Sequence, residues 1–385
     1  MGTLRRQPAM TAQGRVLGDL AREFLRLGAT TFGGPTVHIA VFRDKCVRSR
    51  GWMDEATFTR WLGAVQLIPG PNSSEMAMLI GRHRAGLAGM VVAGSAFILP
   101  SALLLAMLAW AQAELPSHPG VSGALAGLRP VMLAVMADAL RAWLPEVARD
   151  LPTRLVAAGA AAAALLGAPE ATVLLAAGLV RALFTGSTVR TMAFVPATVP
   201  TSDVSLWQVP WPFLKAGAML FGSGYVIVGL LREGLVTRLG WVTDSQLADA
   251  FALSLATPGP ILGTASYLGM QIAGPMGALL ATVAIFLPAF VVVGLAGTLL
   301  PRIEHHKGAT RFLEGVGLAS VGLLLATTCG WLPVLANQPA SLAWAAVAFG
   351  MLASRRVGAG ALFWAGCLGG LLLGMLDGDS SWIGH

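Results

Sequence analysis

The chain has 385 residues, of which 55% are hydrophobic and only 12% charged, with a mean hydropathy of +0.70; a soluble domain carries about 25% charged residues. The net charge of +7 does not point to nucleic acid, because the basic residues fall in short loops between apolar runs, where they act as orientation signals. Cys46, Cys329 and Cys367 lack any CxxC or CxxxH spacing, and the six histidines lack ligand spacing too, so neither a disulfide framework, a metal site nor a cofactor is expected.

The N-terminus, MGTLRRQPAMTAQGR, is polar and basic and has no apolar signal-peptide core. Residues 15–37 form an amphipathic segment that ends in a glycine-rich break, FGG. Arg15, Asp19, Arg22, Glu23 and Arg26 are too many charges for an ordinary lipid-facing span. A polar stretch with Gly51-Trp52 follows, then two short helices, 56–68 and 72–81, on either side of Pro69-Gly70-Pro71. At 1.5 Å per residue neither can cross a core of about 30 Å alone. Together they make one broken span or a re-entrant hairpin. Four further apolar segments are expected at 86–112, 121–143, 153–167 and 170–185. Charge-free runs at 85–113, 250–301 and 315–354 each hold at least one span. The fold class is an all-α polytopic membrane protein.

The order of elements then starts again. FLRLGATTFGG (24–34) matches FLKAGAMLFGS (213–223), and Pro69-Gly70-Pro71 matches Pro258-Gly259-Pro260, an offset of 258 − 69 = 189. FILP (97–100) meets IFLP (285–288), and AWLP (142–145) meets GWLP (330–333), after the loss of one residue. The chain therefore reads as one repeat at 15–185, a linker at 186–206 and a second repeat at 207–377. Basic loops swap between the copies: Arg82-His83-Arg84 faces the uncharged MQIAG, and RIEHHKGATR faces ELPSHPG. Such a swap favours repeats of inverted topology.

A backbone break inside a membrane is tolerated only where it meets protein or a water-filled cavity. Inverted repeats with discontinuous helices are the usual build of secondary transporters, whose half-helix N-termini point at anionic substrates. Proline is least costly in the first turn of a helix, so the residues after Pro71 can start one with bare N–H groups. Asn72, Ser73 and Ser74 are expected to bind an oxyanion there, together with Gly33 and Gly34 of the first break and Gly222 and Ser223 of the second. A packing kink is the alternative for a single motif, and two symmetric copies weaken it. Arg26 and Lys215 share a repeat position and are candidate counter-charges, unless both snorkel to the interface. Arg129 has Gly317 as its counterpart and is a coupling candidate. Asp138 and Arg141 suit a structural ion pair. Glu75 carries a proton or caps the half-helix, and His38 is a titratable alternative, although a lone histidine is more often structural.

Residues 32–89, with FGGP and His38, RGW, PGPNSSE and the IG…RAG loop, followed by FILP, closely resemble the signature region of the chromate ion transporters. The resemblance extends through the second copy. It implies a bacterial inner-membrane protein, multi-pass, that exports chromate and gives resistance, with sulfate as the similar oxyanion. Met78-Leu79 stands where many relatives have a histidine-bearing IHIG, which weakens any histidine role there. No Walker A motif, HExxH or GxSxG is present, so neither direct ATP drive nor an enzyme is expected. The alternatives are a carrier or channel for another small anion or metabolite. The partners expected are the oxyanion, the bilayer and a second copy of the chain.

Overall fold

The computed structural model describes residues 12–66, 70–115, 118–183, 205–221, 224–305, 307–336 and 339–376. Pro69, Gly222, Ser223 and most of the 186–206 stretch lie outside them. All regular structure among the described residues is helical.

The first repeat comprises α1 (Ala12–Thr30), α2 (Gly34–Phe42), α3 (Glu55–Val65), α4 (Asn72–Glu114), α5 (Pro119–Val147), α6 (Leu151–Leu165) and α7 (Glu170–Leu183). The second comprises α8 (Pro210–Ala218), α9 (Ile227–Leu231), α10 (Asp244–Ala256), α11 (Thr264–His305), α12 (Lys307–Ala336), α13 (Pro339–Ala353) and α14 (Ala359–Leu376). Both α2 and α9 run on into a π-helical turn, Arg43–Ser49 and Arg232–Arg238. Four helical stretches are long and apolar enough to cross a membrane: Asn72–Glu114, Pro119–Pro145, Ile261–Leu295 and Gly308–Leu332.

Local chemistry sets the boundaries. The Asp54 carboxylate accepts the Thr57 N–H at 2.7 Å and starts α3. Reciprocal capping boxes start α6 (Asp150 with Thr153) and α10 (Thr243 with Gln246). The charges of α1 are absorbed by amphipathicity: Leu20, Phe24 and Leu27 face the core, and the buried Glu23 pairs with Arg50. The symmetric ion pairs Arg43–Glu55 (3.0 Å) and Arg232–Asp244 (2.6 Å) brace the π-helical turns.

Two long helices are really hairpins. In α4 the chain reverses at Ala85 and Gly86 (φ 61°), and in α11 at Ala273 and Gly274 (φ 63°). Gly81 then backs onto the Gly89 carbonyl, and Gly269 onto that of Gly277, so closely that a methyl group at either position would overlap. Along a straight helix eight residues would separate these pairs by about 12 Å. The same pattern, G-x3-A-G-x2-G, occurs in both copies. Likewise α3 folds back on the first arm of α4, since the Trp61 and His83 rings lie 5.2 Å apart.

The two repeats interlock. Met90 meets Gly294 and Gly94 meets Phe290; one number rises as the other falls, so the equivalent arms 87–114 and 275–305 run antiparallel. Helix α5 packs on α14 through Gly127 against Gly366 and Gly123 against Gly370, and α12 packs on α7 through Gly315 against Ala177 and Gly178. Small residues at these crossings let backbones meet where apolar surroundings provide no hydrophobic drive.

Candidate functional site

Between α3 and α4 the chain leaves the helix and makes a tip. Gly70 has φ 148°, which only glycine adopts without strain, and Pro71 is extended. The first intrahelical bond of α4 runs from the Glu75 N–H to the Pro71 carbonyl at 3.1 Å. The N–H groups of Asn72, Ser73 and Ser74 therefore lack helical acceptors. Ser73, Ser74 and Glu75 are buried. Asn72 Oδ1, Ser74 Oγ and both Glu75 carboxyl oxygens have no hydrogen-bond partner among the described residues.

The second tip is built alike and finished differently. Gly259 has φ 95°, and Ile261–Gly263 form a 3-10 turn before α11. Its polar groups are satisfied locally: Ser101 Oγ donates to the Pro260 carbonyl at 3.3 Å, and Ser254 and Thr264 donate to the Ile261 carbonyl at 2.6 and 2.7 Å. Each tip is docked on the other repeat. The Gly70 N–H donates to the Leu220 carbonyl at 2.7 Å, and the Gly259 N–H to the Thr31 carbonyl at 3.1 Å.

A cavity of about 1050 Å³ opens beside the first tip, reached by Gly33, Gln66 and Asn72. Its walls come from α2, α5, α6, α7 and α12 and from the turns at 149–150 and 355, and they carry Arg141, Arg149, Arg181, Arg311 and Arg355 against Asp138, Asp150 and Glu314. Arg141 is committed to Asp138 at 2.7 Å. The electrostatics of this end favour an anion, and bare N–H groups at a helix N-terminus can receive one.

The sequence profile of the chromate transporters matches residues 18–182 and 207–375. The chain belongs to the chromate transporter family. It is 30% identical over 346 residues to a chromate transport protein of Pseudomonas aeruginosa, covering 84% of this chain and 83% of that one. It is 28% identical over 329 residues to a chromate transport protein of Cupriavidus metallidurans, covering 82% of each. A probable chromate transport protein of Synechococcus elongatus is 28% identical over 325 residues, 80% of this chain and 82% of that one. No solved structure matches.

Within this family member, the expected site residues divide. Gly33 and Asn72 line the cavity, and Gly34 sits beside the Tyr225 hydroxyl. Pro71, Ser73 and Ser74 lie directly behind, while Pro258, Gly259 and Pro260 form the closed second tip. Arg26 and Lys215 do not line the cavity: Arg26 is exposed on α1 and Lys215 half-buried on α8. Glu75 caps nothing, because Pro71 precedes the helix and no donor reaches the carboxyl. His38 is buried between Phe42 and Phe97, with Nε2 3.3 Å from the Thr31 carbonyl. It braces the carbonyl that holds the second tip. Arg129 has a partner that repeat alignment does not supply. It forms a bidentate pair with Asp249 of α10 (2.8 and 3.1 Å) and donates to Ser245 at 2.6 Å. The cavity arginines were missed because Arg311 and Arg355 read as loop charges, Arg141 as half of an ion pair, and Arg149 and Arg181 carry no motif of their own. Their shared signal is that the basic loops of both repeats gather at one end of the bundle.

Proposed function

We propose that the chain is a secondary transporter that exports chromate, or a related divalent oxyanion such as sulfate, across the bacterial inner membrane, and so gives chromate resistance. The observation that carries this reading is the arginine-lined cavity ending on the first tip. The anion enters among Arg149, Arg181, Arg311 and Arg355 and docks on the N–H groups of Asn72, Ser73 and Ser74, with Gly33, Gly34, Gly70 and Pro71 giving the backbone room to approach. Repeats 15–185 and 207–377 have inverted topology, with each Pro-Gly-Pro tip re-entrant. The antiparallel packing of arms 87–114 and 275–305 supports the inversion, and the basic cavity end suits the cytoplasm. Arg129 with Asp249 holds the opposite end shut. At the equivalent place in the second repeat Gly317 lines the open cavity.

Purified protein in liposomes is the test. Saturable uptake of labelled chromate, with competition by sulfate, is expected. Non-saturating flux shared by unrelated anions would replace the carrier with a channel. Cysteines introduced at 82–86 and 271–275 should label from opposite sides, and labelling from one side would sink the inversion.

A further inference from the structure

We propose that the Glu75 carboxyl is a proton-carrying site loaded together with the oxyanion, so that an anion and a proton cross in the same direction, and an exported dianion leaves with one net negative charge, drawn out by the inside-negative membrane potential. This rests on the first tip being the anion site. Glu75 lies in the first turn of α4, three residues after Asn72, and is fully buried. Its carboxyl presses on Gly70, where any side chain would overlap it. Neither oxygen has a hydrogen-bond donor among the described residues. An ionised carboxylate buried among apolar groups is among the costliest groups a protein can hold. A dianion on the neighbouring N–H groups would add direct repulsion, and protonation of one carboxylate oxygen removes both penalties.

Among the described residues, the surrounding elements supply no compensating charge. Glu23 of α1 is taken by Arg50, and Arg26 points outward. His38 of α2 is occupied with Thr31. On α3, Glu55 pairs with Arg43 and Arg60 is exposed. Asp249 of α10 is held by Arg129, and Tyr267 of α11 donates to Gln112. On α4 itself, Arg82 donates to the Val293 carbonyl, His83 faces Trp61 and Arg84 lies over Trp52. The second tip offers Gly263 and Thr264 at the corresponding place, so one proton accompanies each anion. When the tip opens to the other side, water reaches the carboxyl, the proton leaves, and the ionised Glu75 expels the anion.

The test uses the full-length protein in proteoliposomes and labelled sulfate, which stays doubly charged through the neutral range, so any pH dependence belongs to the protein. Wild-type affinity should fall by up to about tenfold per pH unit on the alkaline limb, the limit for one linked proton. An inward proton gradient should drive uptake. Glu75→Gln should make affinity flat with pH and abolish gradient-driven uptake, whereas Glu75→Asp should keep a pH-dependent affinity. Wild-type binding that ignores pH, or a Glu75→Gln protein with the wild-type pH profile, overturns the proposal. Should Glu75→Gln fail to fold, wild-type uptake that no proton gradient can drive overturns it alone. Wild type that binds neither sulfate nor chromate overturns the anion site itself, and this inference with it.

Discussion

The two tips share a motif, a left-handed glycine and a cross-repeat hydrogen bond, yet they differ in the residues after the second proline. The first continues with Asn72, Ser73, Ser74 and Glu75, and leaves several of their polar atoms unpartnered beside an open cavity. The second continues with Ile261 and Leu262, both buried, and the hydroxyls of Ser101, Ser254 and Thr264 are spent on the Pro260 or Ile261 carbonyl. A buried polar group without a partner is costly, so such groups persist where a ligand completes them. A duplicated scaffold can thus keep its geometry in both copies while only one keeps the chemistry. On the proposed function the first tip binds the anion, and the second is a strut.

The hardest test of this division is Gly70→Ala against Gly259→Ala. Both force a side chain onto a left-handed backbone. At 259 the new methyl meets the Ser101 Cβ at 2.7 Å, in packed core, so folded yield and thermal stability should drop along with transport. At 70 the methyl meets the Glu75 carboxyl, the end of a side chain, and the Ala289 Cβ at 3.2 Å, so folded yield should fall less than at 259 while anion binding is lost. Equal loss of yield in both would erase the distinction. Next comes the closed end. Arg129→Ala leaves Asp249 buried and unpaired, a destabilisation of up to about 3 kcal/mol for a pair still partly reached by solvent. It should show in thermal unfolding and be largely relieved by Arg129→Met with Asp249→Leu. Smaller still, Asn72→Ala and Ser74→Ala should each weaken chromate binding by about 1 kcal/mol, roughly fivefold. Ile261→Ala should leave affinity alone. The smallest effect is at the helix starts. The Thr57 backbone N–H and hydroxyl hold the Asp54 carboxyl below its usual value, and the Thr153 N–H does the same for Asp150. A group lowered on folding contributes stability above its unfolded value and loses it as pH falls through the folded one. Stability should therefore ease slightly in strongly acid solution, and less so in Asp54→Asn. Unchanged acid sensitivity would show that the cap is idle.

Much of this was legible in the residues. Apolar runs, glycine breaks and Pro-Gly-Pro are local signals with local causes, and the helix starts near 55, 72, 151 and 170 follow from them. The hairpin turns were also written, as G-x3-A-G-x2-G, but their meaning depends on one backbone lying on another. The partner of Arg129 was not legible. Asp249 occupies the repeat position of Arg60, so internal symmetry points away from it, and only the crossing of α5 and α10 brings the two together. Arg26 and Lys215 show the converse. Their symmetry in sequence is real, but the helix faces that carry them turn away from the cavity.

Reciprocal docking of the tips has a consequence for how such a chain could arise. The Gly70 N–H ends on a carbonyl of the second repeat, and the Gly259 N–H on one of the first. Neither half completes its own bend. With the inverted topology proposed above, a half-length ancestor would have needed a sibling lying head to tail beside it, and so a population inserted both ways round. Fusing the genes would fix that mixture at one to one. After fusion the two bends no longer had to be the same, and one was free to give up its hydroxyls.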